Sequence, residues 1–319
     1  MRKNAHQRIP VILDTDIGGD IDDTWALAMM LKSPELDVKL VVTCTGDTAY
    51  RARVVARMLE VAGRTDVPVG IGIPLETAIS PQSPWIAGYD LSSYPGLVYE
   101  DGVGAMVDVI MRSPEPITLI GIGPLPNVAA ALAREPRIAE RARFVGMHGS
   151  IRRGYGGSEE PSREYNVAQY TQACRAVFTA PWDVTITPLD TCGLVRLAGD
   201  KYRAVHDCED RLVQALIENY HIWVQHCEWA EGFDAGVQSS VLFDTVAVYL
   251  AFSEELLVME DLGLRITDDG YTAADGGAKV VHCATDWRDL PAFEDLLVRR
   301  LTGGARAGAG LADATKGNS

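Results

Sequence analysis

An apolar run, Val11 to Leu13, is followed without a break by five aspartates, Asp14, Asp16, Asp20, Asp22 and Asp23, with the pair Gly18-Gly19 among them. Past the acids the apolar positions change spacing, and Trp25, Ala28, Met29 and Leu31 fall near one face of a helix. The pattern predicts a buried strand, an acidic loop at its carboxyl end and a helix. Similar units recur. Val38–Thr43 reads as a strand and Tyr50–Val61 as a helix, with Asp47 in the turn between them. Val67–Ile73 is a short third strand. Glu76–Gly104, with Pro81, Pro84 and Pro95, reads as a long loop. Asp101–Met111 is helical, Ile117–Ile122 a buried strand, and Phe144–Met147 and Trp182–Ile186 are further strands. Arg203–Glu228 forms one or two helices, and an apolar helical run follows Asp244. From Val258 to Thr285 short strands alternate with glycine turns, an antiparallel addition at the sheet edge. A helix over Pro291–Leu301 leads into a Gly/Ala-rich tail, 303–319, expected to be disordered. Strands alternating with helices predict an α/β fold, an open, mostly parallel sheet flanked by helices. No linker divides the chain before its tail, so 1–302 reads as one domain.

The acids give this pattern its chemistry. Ligands bind outside the carboxyl ends of strands in open α/β sheets. Crowded carboxylates raise one another's pKa unless something positive sits among them, and no Lys or Arg lies between Val11 and Leu31. A bound cation is the economical answer, and oxygen-only ligands favour Ca²⁺ or Mg²⁺. The plainer reading makes Asp22 or Asp23 a helix cap, which is expected of at least one of them. An EF-hand loop is excluded, because its twelfth position, counted from Asp14, is Trp25 instead of Glu. A Mg²⁺-dependent phosphatase with Asp-x-Asp after a strand stays as an alternative. The net charge of −15 argues against nucleic acid polymers and anionic membranes and suits a neutral or cationic small substrate. The N-terminal residues lack the apolar core of a signal peptide, and no segment approaches a membrane span. Six scattered cysteines without a CxxC pair suggest reduced thiols in a cytoplasmic protein.

The run DTDIGGDIDD resembles the D-x-D-P-G-x-D-D signature of the inosine-uridine-preferring nucleoside hydrolases, with Ile17 in place of proline and two extra residues in the loop. The resemblance implies calcium-dependent hydrolysis of the N-glycosidic bond of a ribonucleoside by an activated water. Carried over, it makes Asp16 a metal ligand and the general base, and Asp23 the main metal ligand. The Ile122 carbonyl and Asp244 complete the metal's protein shell. Asp20 either takes over from Asp16 as metal ligand and base or bonds the lengthened loop, and Asp14 braces the site from behind. Asp22, Asp47, Met147, Glu164 and Asn166 would hold the sugar, Glu164-Tyr165-Asn166 resembling the family's E-F-N element. Phe243 stands where the family has a histidine near the departing base. It cannot donate a proton but can stack on a ring. Either another group protonates the base, such as His226 or a tyrosine, or the true leaving group needs little help. Trp85 and Tyr89 either stack on the base or pin their own loop. Relatives imply a homodimer or homotetramer. A non-catalytic calcium-dependent nucleoside or sugar binder would share many of these residues.

Overall fold

The computed structural model describes residues 8–75 and 79–303. The chain opens β1 (Ile9–Thr15), α1 (Asp22–Leu31), β2 (Leu36–Thr43), α2 (Thr48–Val61) and β3 (Val69–Ile71). It continues β4 (Val98–Tyr99), α3 (Gly102–Arg112), β5 (Ile117–Gly121), α4 (Pro126–Arg134) and β6 (Ala142–Met147). Next come α5 (Tyr165–Gln169), α6 (Thr171–Thr179), β7 (Val184–Thr187), α7 (Leu189–Cys192), α8 (Gly199–His206), α9 (Arg211–His226) and α10 (Thr245–Leu250). The chain closes with β8 (Leu257–Ile266), β9 (Thr272–Ala274), β10 (Val280–Trp287) and α11 (Leu290–Thr302).

The strands form one ten-stranded sheet in the order β4-β3-β2-β1-β5-β6-β7-β10-β8-β9. β1 pairs in parallel with β2 on one side and β5 on the other, Asp14 lying opposite Val42 and Gly121. The chain's direction of travel across the sheet reverses between these neighbours. A crevice therefore opens outside the carboxyl ends of β1 and β5, where the helices following them diverge to opposite faces. The antiparallel addition is present, though β10 first joins the main sheet in parallel beside β7, and β8 and β9 then continue antiparallel from it.

Two hydrophobic cores cover the two faces. One packs α1, α2 and α8–α11 on the sheet; the other packs α3, α4 and α6. Helix α1 departs from the predicted single apolar face. Every residue from Asp22 to Met30 is buried, because α9, α10 and α11 all pack against it. The acids at its amino end are thereby held inside the molecule. The predicted long loop contains the two-residue strand β4, which adds to β3; residues 76–78 lie outside the described part. Gly303, at φ +69°, closes α11, and the remainder of the predicted tail lies outside the described residues. No described helix is long and apolar enough to cross a membrane.

Candidate active site

A cavity of about 340 Å³ opens at the carboxyl ends of β1, β5 and β6, a size suited to a small-molecule ligand. Its floor is acidic. Carboxylate oxygens of Asp22, Asp23 and Asp244 lie within 4.8 Å of one another, and all three residues are buried. Asp16, Asp20 and Glu164 also line the cavity, with Ile122, Met147 and Asn166. Asp23 accepts the Thr15 hydroxyl, which also accepts the Ile17 N–H. Asp244 leads α10 without making a capping bond, and its N–H reaches Asp22 at 3.3 Å. Glu164 caps α5, accepting from the N–H groups of Gly149, Asn166 and Val167 at 2.7–3.1 Å. The Asn166 amide nitrogen donates to the carbonyls of Ile122 and Met147, both at 3.1 Å, and so ties the ends of β5 and β6 together. Gly123 leaves the room Asp16 occupies: a Cβ there would stand 2.7 Å from the Asp16 carboxylate.

The loop from Ile17 to Asp20 is clamped one carbonyl at a time. Arg51 Nη1 donates to Ile17 O at 2.8 Å, the Tyr50 hydroxyl to Gly18 O at 3.1 Å, the Trp223 indole N–H to Gly19 O at 2.9 Å, and Gln82 Nε2 to Asp20 O at 3.0 Å. Arg51 Nε also holds Thr45 O, on a residue with φ +59°. A β-hydroxy, β-branched side chain adopts that conformation only under constraint. Arg51 is 4% exposed and lines the cavity. Behind the floor Asp14 accepts from the Asn127 amide at 2.7 Å. Burial pushes Asp14 up to about 7, despite that bond, and Asp20 up to about 6. Burial and mutual repulsion push Asp22, Asp23 and Asp244 well above the ordinary carboxylate range. Asp16 is raised by burial and opposed by the charge of Arg51. Glu164 rises to about 7 through burial, opposed by its three N–H donors.

The family model for inosine-uridine preferring nucleoside hydrolases matches residues 11–295. The chain belongs to that family. It is an N-glycosyl hydrolase. The non-specific ribonucleoside hydrolase RihC of Klebsiella pneumoniae is 32% identical over 67% of this chain and 72% of its own length. The RihC of Escherichia fergusonii is 30% identical over the same shares. Among solved structures, a plant nucleoside hydrolase superposes with a TM-score of 0.75 at 23% identity, covering 93% of this chain and 99% of its own. An inosine-uridine preferring nucleoside hydrolase from Bacillus anthracis gives 0.73 at 17%, covering 92% and 99%. At these identities the structures speak for the fold alone.

Within this nucleoside hydrolase frame, the residues given metal, base or substrate contacts by the resemblance converge on one cavity, Asp47 excepted. Asp16, Asp20, Asp22, Asp23, Ile122, Met147, Glu164, Asn166, Phe243 and Asp244 all line it. Asp47 does not. Its side chain caps α2, accepting from Tyr50 N–H at 2.9 Å, and points to solvent. The same helix supplies Arg51 one turn later, and Arg51 takes that wall. The capping expectation for Asp22 or Asp23 also fails, since Ile21 occupies the N-cap position of α1 and no side chain caps it. The choice over Trp85 and Tyr89 resolves to pinning. Trp85 is 2% exposed, bonds Glu218 at 3.0 Å and lies under Arg57, while the Tyr89 hydroxyl bonds Glu60. His226 is exposed, bonds Ile222 O and does not line the cavity. A phosphatase of that kind would need a lysine near its aspartates, and no described lysine lines the cavity. Sequence reasoning missed Arg51, Tyr155 and the Trp223 clamp. The available signal for Arg51 was its place beside Thr48, Ala52 and Val55, on the buried side of α2.

Proposed function

We propose that this chain hydrolyses the N-glycosidic bond of a ribonucleoside with the help of calcium, releasing ribose and the free base. The observation that carries the reading is the buried trio Asp22, Asp23 and Asp244 beside Asp16. An oxygen-only donor set, dry and mutually repelling, fits a hard dication. Asp16, Asp23, Asp244 and the Ile122 carbonyl would hold it, with Asp20 as a further candidate ligand. A bound calcium would supply a lowered pKa to water and an anchor for vicinal hydroxyls. Asp16, held open by Gly123 and facing Arg51, takes the proton of the attacking water. Asp22, Glu164, Asn166 and the Met147 main chain orient the sugar. The acidic floor favours the positive charge that develops on the sugar ring in an oxocarbenium-like transition state. We assign the activity to residues 1–302 acting as one domain.

p-Nitrophenyl riboside tests this directly, because its leaving group departs without an acid. Release of p-nitrophenol with calcium, lost in chelator and restored by added calcium, is the expected result. No release from protein that binds calcium by calorimetry would make the chain a binding protein.

A further inference from the structure

The mouth of the cavity is built differently from its floor. Four rings surround it, Tyr155, Tyr165, Trp229 and Phe243. Tyr155 and Phe243 meet edge to face at 6.1 Å. Tyr165, Trp229 and Tyr155 are 51%, 50% and 43% exposed, so this aromatic surface lacks a covering partner among the described residues. Below it stand six carboxylates and a single guanidinium. Among the described residues no imidazole reaches the cavity. His148 lies sealed behind it, its Nε2 on Gly123 O and its ring against Phe144 and Phe178. The Tyr155 hydroxyl accepts the Tyr165 N–H, and burial raises it above the ordinary phenol range, which makes it a poor proton donor.

A leaving group meets rings and negative charge here: among the described residues no imidazole or lysine lines the cavity, and its one guanidinium is bonded to the Ile17 and Thr45 carbonyls. When the C1′–N bond of a neutral nucleoside breaks, its electron pair leaves the ring nitrogen anionic, and a proton must be supplied. When the base is already a cation, the same pair neutralises it. Water's oxygen bonds C1′, its proton passes to Asp16, and the base departs neutral. Aromatic faces attract cations, most strongly where water is excluded, and the acidic floor adds to that attraction. Resting on the hydrolase reading above, we propose that the cavity is specific for ribosides of a cationic heteroaromatic base, a pyridinium or an N-alkylated purinium.

The test uses the calcium-loaded full chain. kcat/KM is compared for N-ribosylnicotinamide, inosine and uridine, with p-nitrophenyl riboside in the same run. The expected result is a preference of at least 100-fold for the pyridinium riboside. Equal or greater activity on inosine or uridine would overturn the proposal. So would an inosine activity that Asp20→Asn removes while calcium binding and p-nitrophenyl riboside cleavage are kept, because Asp20 would then be the acid. Binding gives a second readout without turnover. The 1-methylnicotinamide cation should bind at least tenfold more tightly than neutral nicotinamide, and Trp229→Ala should erase the difference. Equal binding of the two sinks the proposal whether or not any riboside is cleaved. Failure of p-nitrophenyl riboside alone counts against the hydrolase reading, not against cation recognition by the aromatic mouth.

Discussion

At the scale of single residues, the site depends on small side chains making room for charged ones. Gly123 has nothing to do chemically, yet a methyl group on it would press on the Asp16 carboxylate at 2.7 Å and on Cys44 Sγ at 2.9 Å. Its neighbours cannot retreat far, since Cys44 is fully buried. Displacing a catalytic group by about 1 Å can cost about 100-fold in rate. Gly123→Ala is therefore expected to lower kcat on p-nitrophenyl riboside by about that factor, while circular dichroism shows the fold retained. Wild-type turnover in this variant would remove Asp16 from the role of base. Arg51 makes the complementary point. From the sequence, the acidic stretch holds no cation, and a bound metal was the natural inference. The fold brings one cation after all, from a helix more than twenty residues later. It does not replace a metal: its recorded bonds go to carbonyls, and among the described residues no ion pair forms between it and the floor. Glu164, Asn166 and Asp244 were legible through the resemblance of Glu164-Tyr165-Asn166 and Phe243-Asp244 to family motifs; by local pattern alone each reads as a helix-start polar residue. Arg51 and Tyr155 were not, because their relevance depends on which distant segment they face.

At the scale of elements, the two extra residues of the aspartate loop need an account. Lengthening a loop normally loosens it, and a loose loop would scatter its carboxylates. Here α2 lends two side chains, and the segment around Gln82 and α9 one each, so that four successive carbonyls from Ile17 to Asp20 are occupied. Gln82 is itself locked, accepting from Asn219 at 2.8 Å and from Thr24 at 3.3 Å, with its N–H on the Tyr50 hydroxyl. The buried network positions the loop through bonds that cannot be exchanged for water without cost. Trp223→Phe keeps most of the ring and deletes one donor. Losing one such bond costs about 1 kcal/mol, and Gly19 would gain freedom next to Asp20. The expectation is a lowered melting temperature together with a several-fold fall in kcat at nearly unchanged KM. A stability loss with both constants unchanged would reduce the clamp to scaffolding. The sequence announced the loop, through DTDIGGDIDD, but not the clamp. A tryptophan and an arginine on amphipathic helices read as packing and surface residues until the fold shows what lies beneath them.

At the scale of the whole molecule, concentrating acids at one point makes folding and ligand binding parts of one equilibrium. Without a cation, the native state holds Asp14 and Glu164 near 7 and Asp20 near 6, all above their ordinary values because of burial. The unfolded chain releases those protons near pH 4. Between about pH 4 and 7 the folded protein therefore binds more protons than the unfolded one. The linkage relation makes its stability fall as pH rises through that window, the stabilisation being complete below it and lost above it. A hard dication reverses the balance at the proposed ligand carboxyls, Asp16, Asp23 and Asp244, which burial also raises, and it competes best where protons are scarce. The chelated protein should melt several degrees lower at pH 8 than at pH 5. Calcium at about 100 times its dissociation constant should add about 2.7 kcal/mol at pH 8, and much less at pH 5, where protons occupy the same oxygens. Differential scanning fluorimetry across that range, with chelator and with calcium, measures both slopes. A chelated protein that grows more stable towards pH 8 would mean that these carboxylates are ionised in the metal-free fold and that something other than a proton or a metal compensates them. Arg51, the one cation lining the cavity, would then be the first group to substitute.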